Sequence, residues 1–270
     1  VYKRQVFVSQ TPDYILPATA CILQAKLGLE RSCMAMDINL GCSGWVYGLS
    51  VLSSLMQTGN IKKAILLAGD ARKQAKEELD QLFGYACTAT ALEYSKEAKP
   101  FYFDLGTDGT GYDAIIRPGG GCRNQFNEDS LKLELCEDGR KRHAIQTRMK
   151  GMDVFAFGIT TAPKSIKKLT ANYEMDYTSF DYVILHQANY KMTETIRKKL
   201  KLDAEKMPYS MLHFGNTSSA SIPLTIVTQL KGKIEDKPTK IIGCAFGVGL
   251  SWGTVAFETE HLLISELVEV

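Results

Sequence analysis

The sequence is poor in the features that mark several whole classes of protein. None of its apolar runs approaches the ~18 residues that a membrane-crossing helix needs. Its charges nearly cancel, 32 Lys and Arg against 30 Asp and Glu, so the net charge of +2 gives no reason to expect a nucleic-acid or membrane-surface protein. Any cationic patch must be local. The seven cysteines, at 21, 33, 42, 87, 122, 136 and 244, are odd in number and contain no CxxC pair. A chain of this size builds a core without disulfide staples, so free thiols in a reducing, cytoplasmic compartment are expected. The four histidines, at 143, 186, 213 and 261, show no ligand spacing with the cysteines, and neither a metal nor a cofactor is expected. There is no low-complexity tract and no repeat at a period of 20 to 50 residues. The start, Val1-Tyr2-Lys3-Arg4-Gln5, has no secretory-signal pattern and no initiator Met. It runs into an apparent buried strand, Val6-Phe7-Val8-Ser9. The expectation is a chain that begins partway through a domain, its first five residues either a scar or an ordinary surface lead-in.

What is present is an ordinary globular balance, 45% hydrophobic and 23% charged over 270 residues, enough for one large or two fused domains. Apolar β-rich runs alternate with helical stretches, the mark of an α/β protein. Thr11-Pro12-Asp13 is a turn signal, Ala18 to Leu27 reads as a helix ended by Gly28, and Asp37-Ile38-Asn39-Leu40 as a short strand. Val46 to Thr58 reads as a helix closed by Gly59, and Ala64 to Ala68 as a strand buried on both faces. Thr88 to Glu93 is a further strand candidate. The segment 117 to 145, rich in Gly, Arg and Asn, reads as a long connection between two halves, 1–145 and 146–270. In the second half, Val154 to Lys168, Lys191 to Leu202 and Ser221 to Leu230 are predicted helices. Tyr182 to Leu185, Lys240 to Phe246 and Gly253 to Glu258 are predicted strands. Both halves set a special residue directly after an apolar strand, which hints at a pseudo-duplicated layout.

Four segments can carry chemistry. In Asn39-Leu40-Gly41-Cys42-Ser43-Gly44 a cysteine between small residues sits where a strand ends and a helix begins, so its sulfur lies near the positive end of a helix, which favours the thiolate. A packed small residue is the alternative. In Tyr182-Val183-Ile184-Leu185-His186-Gln187-Ala188-Asn189 an apolar strand delivers a histidine at its carboxyl end, where sites in open α/β sheets gather. A histidine satisfied by a backbone carbonyl fits equally well. Gly215-Asn216-Thr217-Ser218 ahead of a helix is by default an N-cap. Ala245-Phe246-Gly247-Val248-Gly249 is a Gly-rich turn, either a tight hairpin or a source of N–H groups for an oxyanion hole.

Taken together, in order, from about Phe7 to Phe257, these segments resemble the β-ketoacyl-acyl carrier protein synthase III family of thiolase-fold condensing enzymes. The resemblance implies two pseudo-duplicated α/β halves packed in layers, with the amino-terminal half incomplete by on the order of eighty residues. It implies Cys42 as the nucleophile that takes an acyl group from an acyl-coenzyme A or acyl-carrier-protein thioester. His186 and Asn216 would stabilise the enolate formed when malonyl-acyl carrier protein loses carbon dioxide, and the backbone N–H groups of Cys42 and Val248 would form the oxyanion hole. It further implies docking of acyl carrier protein by Lys191, Lys198 and Lys199, where a solvated helix face is the plain alternative. Leu16, in the segment resembling the family's cross-dimer loop, and Phe155 would line the acyl tunnel of a homodimer.

The sequence also departs from that pattern. An arginine expected before the Phe-Gly-Asp motif is absent, with Glu77 nearby. The motif itself reads Phe83-Gly84-Tyr85-Ala86-Cys87, and a third basic docking position is replaced by Ala156. Two other readings stay open: an acyltransferase that passes the acyl group to an amine or hydroxyl without condensation, and a non-catalytic carrier-binding subunit. A cysteine hydrolase also uses Cys, His and Asn, but its signature is not found.

Overall fold

Along the first strand Val6 and Val8 alternate with Gln5 and Phe7, and that period of two decides what lies on each side of the first sheet. Residues 1–58, 61–71 and 82–269 are described by the computed structural model, so the expectations resting on Gly59 and Glu77 lie outside the described residues. The sheet comprises β1 (Arg4–Val8), β2 (Met34–Ile38), β3 (Lys63–Asp70) and β4 (Ala86–Glu93), in the order β2-β1-β3-β4. β1 runs parallel to β2 and β3, and β4 closes the edge antiparallel to β3. Val6 and Val8 join the core cluster that holds helix α2 (Gly44–Gln57). Gln5 points the other way and donates from Nε2 to the Ala20 carbonyl of helix α1 (Thr19–Lys26). One helix therefore covers each face.

The second sheet is built by the same rule. Its strands are β5 (Tyr102–Thr107), β10 (Tyr182–Leu185), β11 (Thr239–Gly247) and β12 (Ser251–Thr259), in the order β10-β11-β12-β5. The intervening β6 (Ile115–Ile116), β7 (Glu134–Leu135), β8 (Lys141–Arg142) and β9 (Arg148–Met149) are two-residue strands paired as β6-β9 and β7-β8. Ile184, Ile241, Ala245 and Val255 pack on α2 and on α6 (Ser221–Thr225). Val183, Leu185, Ile242, Cys244, Phe246 and Ala256 pack on α3 (Gly151–Asn172) and α4 (Tyr190–Leu200). Helices α2 and α6 thus form a middle layer between two sheets. A short helix, α5 (Met211–Phe214), lies ahead of α6.

Most predicted elements lie where the periodicity put them. The strand expected at Asp37–Leu40 is instead Met34–Ile38, because pairing with β1 matches Val8 to Ile38 and ends there. The helix predicted over Ser221–Leu230 continues past Thr225 as a π-turn over Ile226–Leu230. β5 was not foreseen. It lies within residues 1–145, yet it pairs antiparallel with β12 and forms the edge of the second sheet. The connection at 117 to 145 contains the β7-β8 pair, and the β6-β9 pair closes it at its two ends. Among the described residues, no helix is long and apolar enough to cross a membrane.

The middle layer supplies part of the core. Leu52 on α2 is fully buried there, whereas Leu135 is 73% exposed. Leu52→Ala is expected to lower the unfolding free energy by ~2–5 kcal/mol, and Leu135→Ala to change it by no more than ~0.5 kcal/mol, both read by urea denaturation.

Candidate active site

Strand parity sets His186 and Gly247 on the same side of the second sheet. Since Ile184 faces the middle layer, His186 two residues later faces it too, and Gly247 follows Ala245 in the same way. The amino-terminal end of α2 meets them there. Cys42, half-buried, immediately precedes that end, with Ser43 in the N-cap position. The absence of a side chain at Gly247 is what lets the sulfur in: a Cβ there would stand 2.6 Å from Cys42 Sγ. Likewise a Cβ on Gly44 would stand 2.3 Å from Val8 Cγ1, so only glycine lets α2 start this close to β1.

The electrostatics correct one expectation. Cys42 does sit at a helix amino terminus, but the thiolate is not favoured, because burial pushes the thiol up to about 11. The backbone N–H groups of Val248 and of Cys42 itself pull the other way, and nearby Asp70 adds to the rise. Asp70 is itself buried, accepting hydrogen bonds from Ser9 Oγ at 2.9 Å, the Gln10 N–H at 2.7 Å and Thr11 Oγ1 at 3.2 Å. The two N–H groups that oppose desolvation are those expected to form an oxyanion hole. They point at the sulfur from the α2 start and from the β11–β12 turn.

His186 is 1% exposed, and burial lowers it to about 4, so its imidazole is neutral at physiological pH. Nδ1 lies 2.8 Å from the Ser221 hydroxyl at the start of α6, and Phe246 packs edge-on at 6.0 Å between centroids. If Ser221 donates to Nδ1, the imidazole proton is on Nε2; the contact itself admits either direction. Ser221 is a contact that sequence reasoning missed; the only signal for it was a serine in the first turn of a helix after the asparagine motif. The next residue, Gln187, is a clamp: Nε2 donates to the Leu185 carbonyl, and Oε1 accepts from the N–H groups of Ser210 and Met211, fixing the segment that leads to Asn216. Asn189 caps α4 by accepting the Met192 N–H at 2.9 Å.

Asn216 is buried and held on three sides. Its Oδ1 accepts the Ser218 N–H at 3.0 Å, a local turn and not the helix N-cap expected of its motif, since Ala220 holds the N-cap position of α6; the –NH2 group is left as the end able to donate elsewhere. Its backbone N–H donates to Leu82, and its carbonyl accepts the Gly84 N–H. The Phe83-Gly84 motif is therefore a backbone clamp on the asparagine, and Gly84 is obligatory because a Cβ there would lie 1.8 Å from the Phe214 carbonyl oxygen. The unusual Cys87 is accommodated by pairing opposite Gly69, which has no side chain to meet its sulfur. A small open cavity of about 160 Å³, lined by Asn189, Tyr190, Met211 and Leu212 among others, opens beside Asn216.

The outlying candidates are placed as follows. Lys191 lies over the ring of Phe155 at 5.9 Å, and Phe155 packs at the edge of the second core cluster. Lys199 donates to the Ile159 carbonyl at 2.9 Å. That carbonyl lacks its helical donor because Pro163, four residues on, has no N–H. Arg197 is committed to Glu194, whose Oε1 also accepts the Tyr209 hydroxyl, whereas Lys198 makes no ion pair among the described residues. Leu16, 84% exposed ahead of α1, is not brought to the cysteine. Ala156 is exposed on α3. Among the described residues, no cluster of three or more His, Cys, Asp or Glu could hold a metal ion.

Comparisons with known proteins identify the family and the fold. The family model described as 3-oxoacyl-[acyl-carrier-protein] synthase III matches residues 36–109, and the one for its C-terminal part matches residues 170–259. The chain is 32% identical over 251 residues to a Clostridium tetani protein named β-ketoacyl-[acyl-carrier-protein] synthase III, covering 90% of this chain and 73% of that one. Its structure is similar to that of a 3-oxoacyl-(acyl-carrier protein) synthase from Burkholderia xenovorans LB400, with a TM-score of 0.89 and 37% identity over 100% of this chain and 76% of that one. A crystal structure of a 3-oxoacyl-(acyl-carrier-protein) synthase III gives the same TM-score at 33% identity, covering 95% and 78%.

Two pH dependences follow from the burial of Cys42 and His186. Alkylation of Cys42 by iodoacetamide, followed by mass spectrometry, is expected to rise with a midpoint near pH 11, well above that of an ordinary thiol. His186 is lowered in the folded state from 6.5 to about 4, so between those values the unfolded chain holds a proton that the folded one does not. Stability is therefore full above pH 6.5 and falls as the pH drops toward 4, by up to ~3 kcal/mol. Urea unfolding of His186→Gln should lack that acid-side loss.

Proposed function

The chain belongs to the 3-oxoacyl-[acyl-carrier-protein] synthase III family of condensing enzymes, and on that premise we propose a decarboxylative Claisen condensation through acyl-Cys42. In the first half-reaction the Cys42 sulfur attacks the carbonyl of an acyl thioester, the Cys42 and Val248 N–H groups hold the tetrahedral oxyanion, and the donor leaves as a thiol carrying the cysteine's proton. In the second, malonyl-acyl carrier protein loses carbon dioxide, and its thioester oxygen becomes an enolate oxygen held by His186 Nε2–H and the Asn216 –NH2. The enolate carbon attacks acyl-Cys42, a 3-oxoacyl thioester leaves, and Cys42 takes up one proton.

The observation that carries this reading is the pair of backbone N–H groups at the sulfur, with two further neutral donors in the other motif segments. Two backbone N–H groups aim at Cys42, a neutral imidazole lies on the same strand face as Gly247, and the asparagine amide has its oxygen tied down and its nitrogen available. A donor that is neutral costs no proton transfer as the enolate charge develops. An acyl transfer without decarboxylation has no use for the second pair of donors, which favours condensation. The cavity beside Asn216 suits entry of the thioester arm.

Acyl carrier protein is the proposed partner, docking on α4 through Lys191 and Lys198. Lys199 would have to leave the Ile159 carbonyl to take part. We assign the acyl tunnel to Phe155 and, across a homodimer, to Leu16, whose exposure suits a contact with a second copy. The product would enter fatty acid or related lipid or polyketide synthesis. All seven cysteines are free thiols, which fits action in the cytoplasm.

Intact-protein mass spectrometry after incubation with a panel of acyl-coenzyme A and acyl-carrier-protein thioesters should show one acyl group added, and none on Cys42→Ala. Asn216→Ala should load normally but condense ~10²–10³-fold more slowly with malonyl-acyl carrier protein. Normal condensation by both variants would overturn the assignment. Lys198→Glu should raise KM for carrier-linked substrates while leaving coenzyme A-linked loading unchanged.

A further inference from the structure

The two N–H groups assigned to the oxyanion hole come from parts of the chain about 200 residues apart, and something must fix the gap between them to the width of one oxygen. Among the described residues, no backbone hydrogen bond joins 41–44 to 247–251. The turn is tied on its far side to Asp108, through the Asp108 N–H to the Leu250 carbonyl at 2.8 Å and the Leu250 N–H to the Asp108 carbonyl at 3.0 Å. On the near side the polar link is a pair of serines. Ser43 Oγ and Ser251 Oγ are 2.7 Å apart, and Ser251 Oγ is 2.7 Å from the Val248 carbonyl oxygen. Both side chains are buried.

Counting hydrogens gives the link a direction. The Val248 carbonyl can only accept, so the single hydroxyl hydrogen of Ser251 goes to it. Ser43 must then donate to Ser251. The chain of bonds thus runs from the residue that follows Cys42, through Ser251, to the residue whose N–H faces the sulfur. Strand parity explains why Ser251 is there, since it faces the middle layer with Gly253 and Val255, opposite the start of α2.

We propose that Ser43 and Ser251 are positioning residues, a two-hydroxyl relay that holds the Val248 N–H in register with the Cys42 N–H for the acyl-loading and condensation steps. The inference rests on the acyl-cysteine reading above. It extends that reading to two side chains that never meet the substrate, act only through the Val248 peptide, and were not among the candidate residues of the sequence. Its consequence is selective. A reaction at Cys42 that passes through a tetrahedral oxyanion depends on the relay, and one that does not feels it only through the fraction of thiolate, which the Val248 N–H also raises.

The test compares two reactions of the same sulfur in the full chain. Acyl loading, with acetyl-, butyryl- and octanoyl-coenzyme A as donors, forms an oxyanion; alkylation by iodoacetamide, read at its high-pH plateau, does not. Ser251→Ala and Ser43→Ala, which cut the relay from opposite ends, are each expected to slow loading ~10–100-fold. Plateau alkylation and the thermal midpoint should stay within about twofold and ~4 °C of the unsubstituted protein. Ser251→Thr, which keeps the hydroxyl, should restore most of the loading rate. Unchanged loading in both alanine variants would overturn the relay and leave the acyl-cysteine reading standing. Equal loss of loading and alkylation would also overturn it, marking the serines as merely structural. If the unsubstituted protein, shown to be folded, loads from none of the donors, the acyl-cysteine reading falls and the relay with it.

Discussion

The burial of α2 between two sheets is the constraint on which the site depends. Its side chains Trp45, Val46, Leu49 and Leu52 pack in one cluster with Val6 and Val8 from the first sheet and Ile184, Ala245 and Val255 from the second. Such a helix can slide or tilt only at the expense of both sheets. Its amino-terminal end is thereby held against the carboxyl ends of β10 and β11, where His186 and Gly247 stand. Glycines at 44 and 247 set how close the approach can be, because a Cβ at either would collide with Val8 or Cys42.

The resting site is electrically quiet. Cys42 is a thiol and His186 a neutral imidazole, both because burial disfavours charge. On the proposed reading, charge develops only during reaction, at the pair of backbone N–H groups facing the sulfur and at the imidazole and amide donors. Dipoles fixed in advance by folding do not have to reorganise when that charge appears. The supporting contacts show how the folding fixes them. Ser221 sets the imidazole, Ser218 turns the amide, Gln187 and Gly84 clamp the segments that carry them, and Ser43 and Ser251 join the two sources of backbone N–H.

The outer helical layer treats its cations unequally. Arg197 is paired with Glu194, so the face is less cationic than the run of basic residues suggests, whereas Lys199 keeps its charge but is anchored to a carbonyl that Pro163 leaves without a partner.

Much of this was legible in the sequence because it is written in local patterns. The period-two runs at Tyr182–Leu185 and Lys240–Phe246, and the glycine punctuation around Cys42, fixed the α/β class and the places where special residues leave the ends of strands. The order of four motifs carried the family. The unforeseen parts are non-local. β5 has little signal of its own and became a strand by pairing with β12, some 150 residues later. The thiolate expected at Cys42 followed from its helix terminus alone, but the helix dipole is outweighed by desolvation, which depends on what the second sheet places above it. A serine in sequence is a hydroxyl of no particular use; only packing that sets Ser251 between Ser43 and Val248, and Ser221 against His186, gives each one a partner. The sequence by itself determined which chemistry-bearing residues exist and at which element ends they stand. The tertiary structure decided their protonation and orientation, because burial and hydrogen-bond direction belong to neighbours that are distant along the chain.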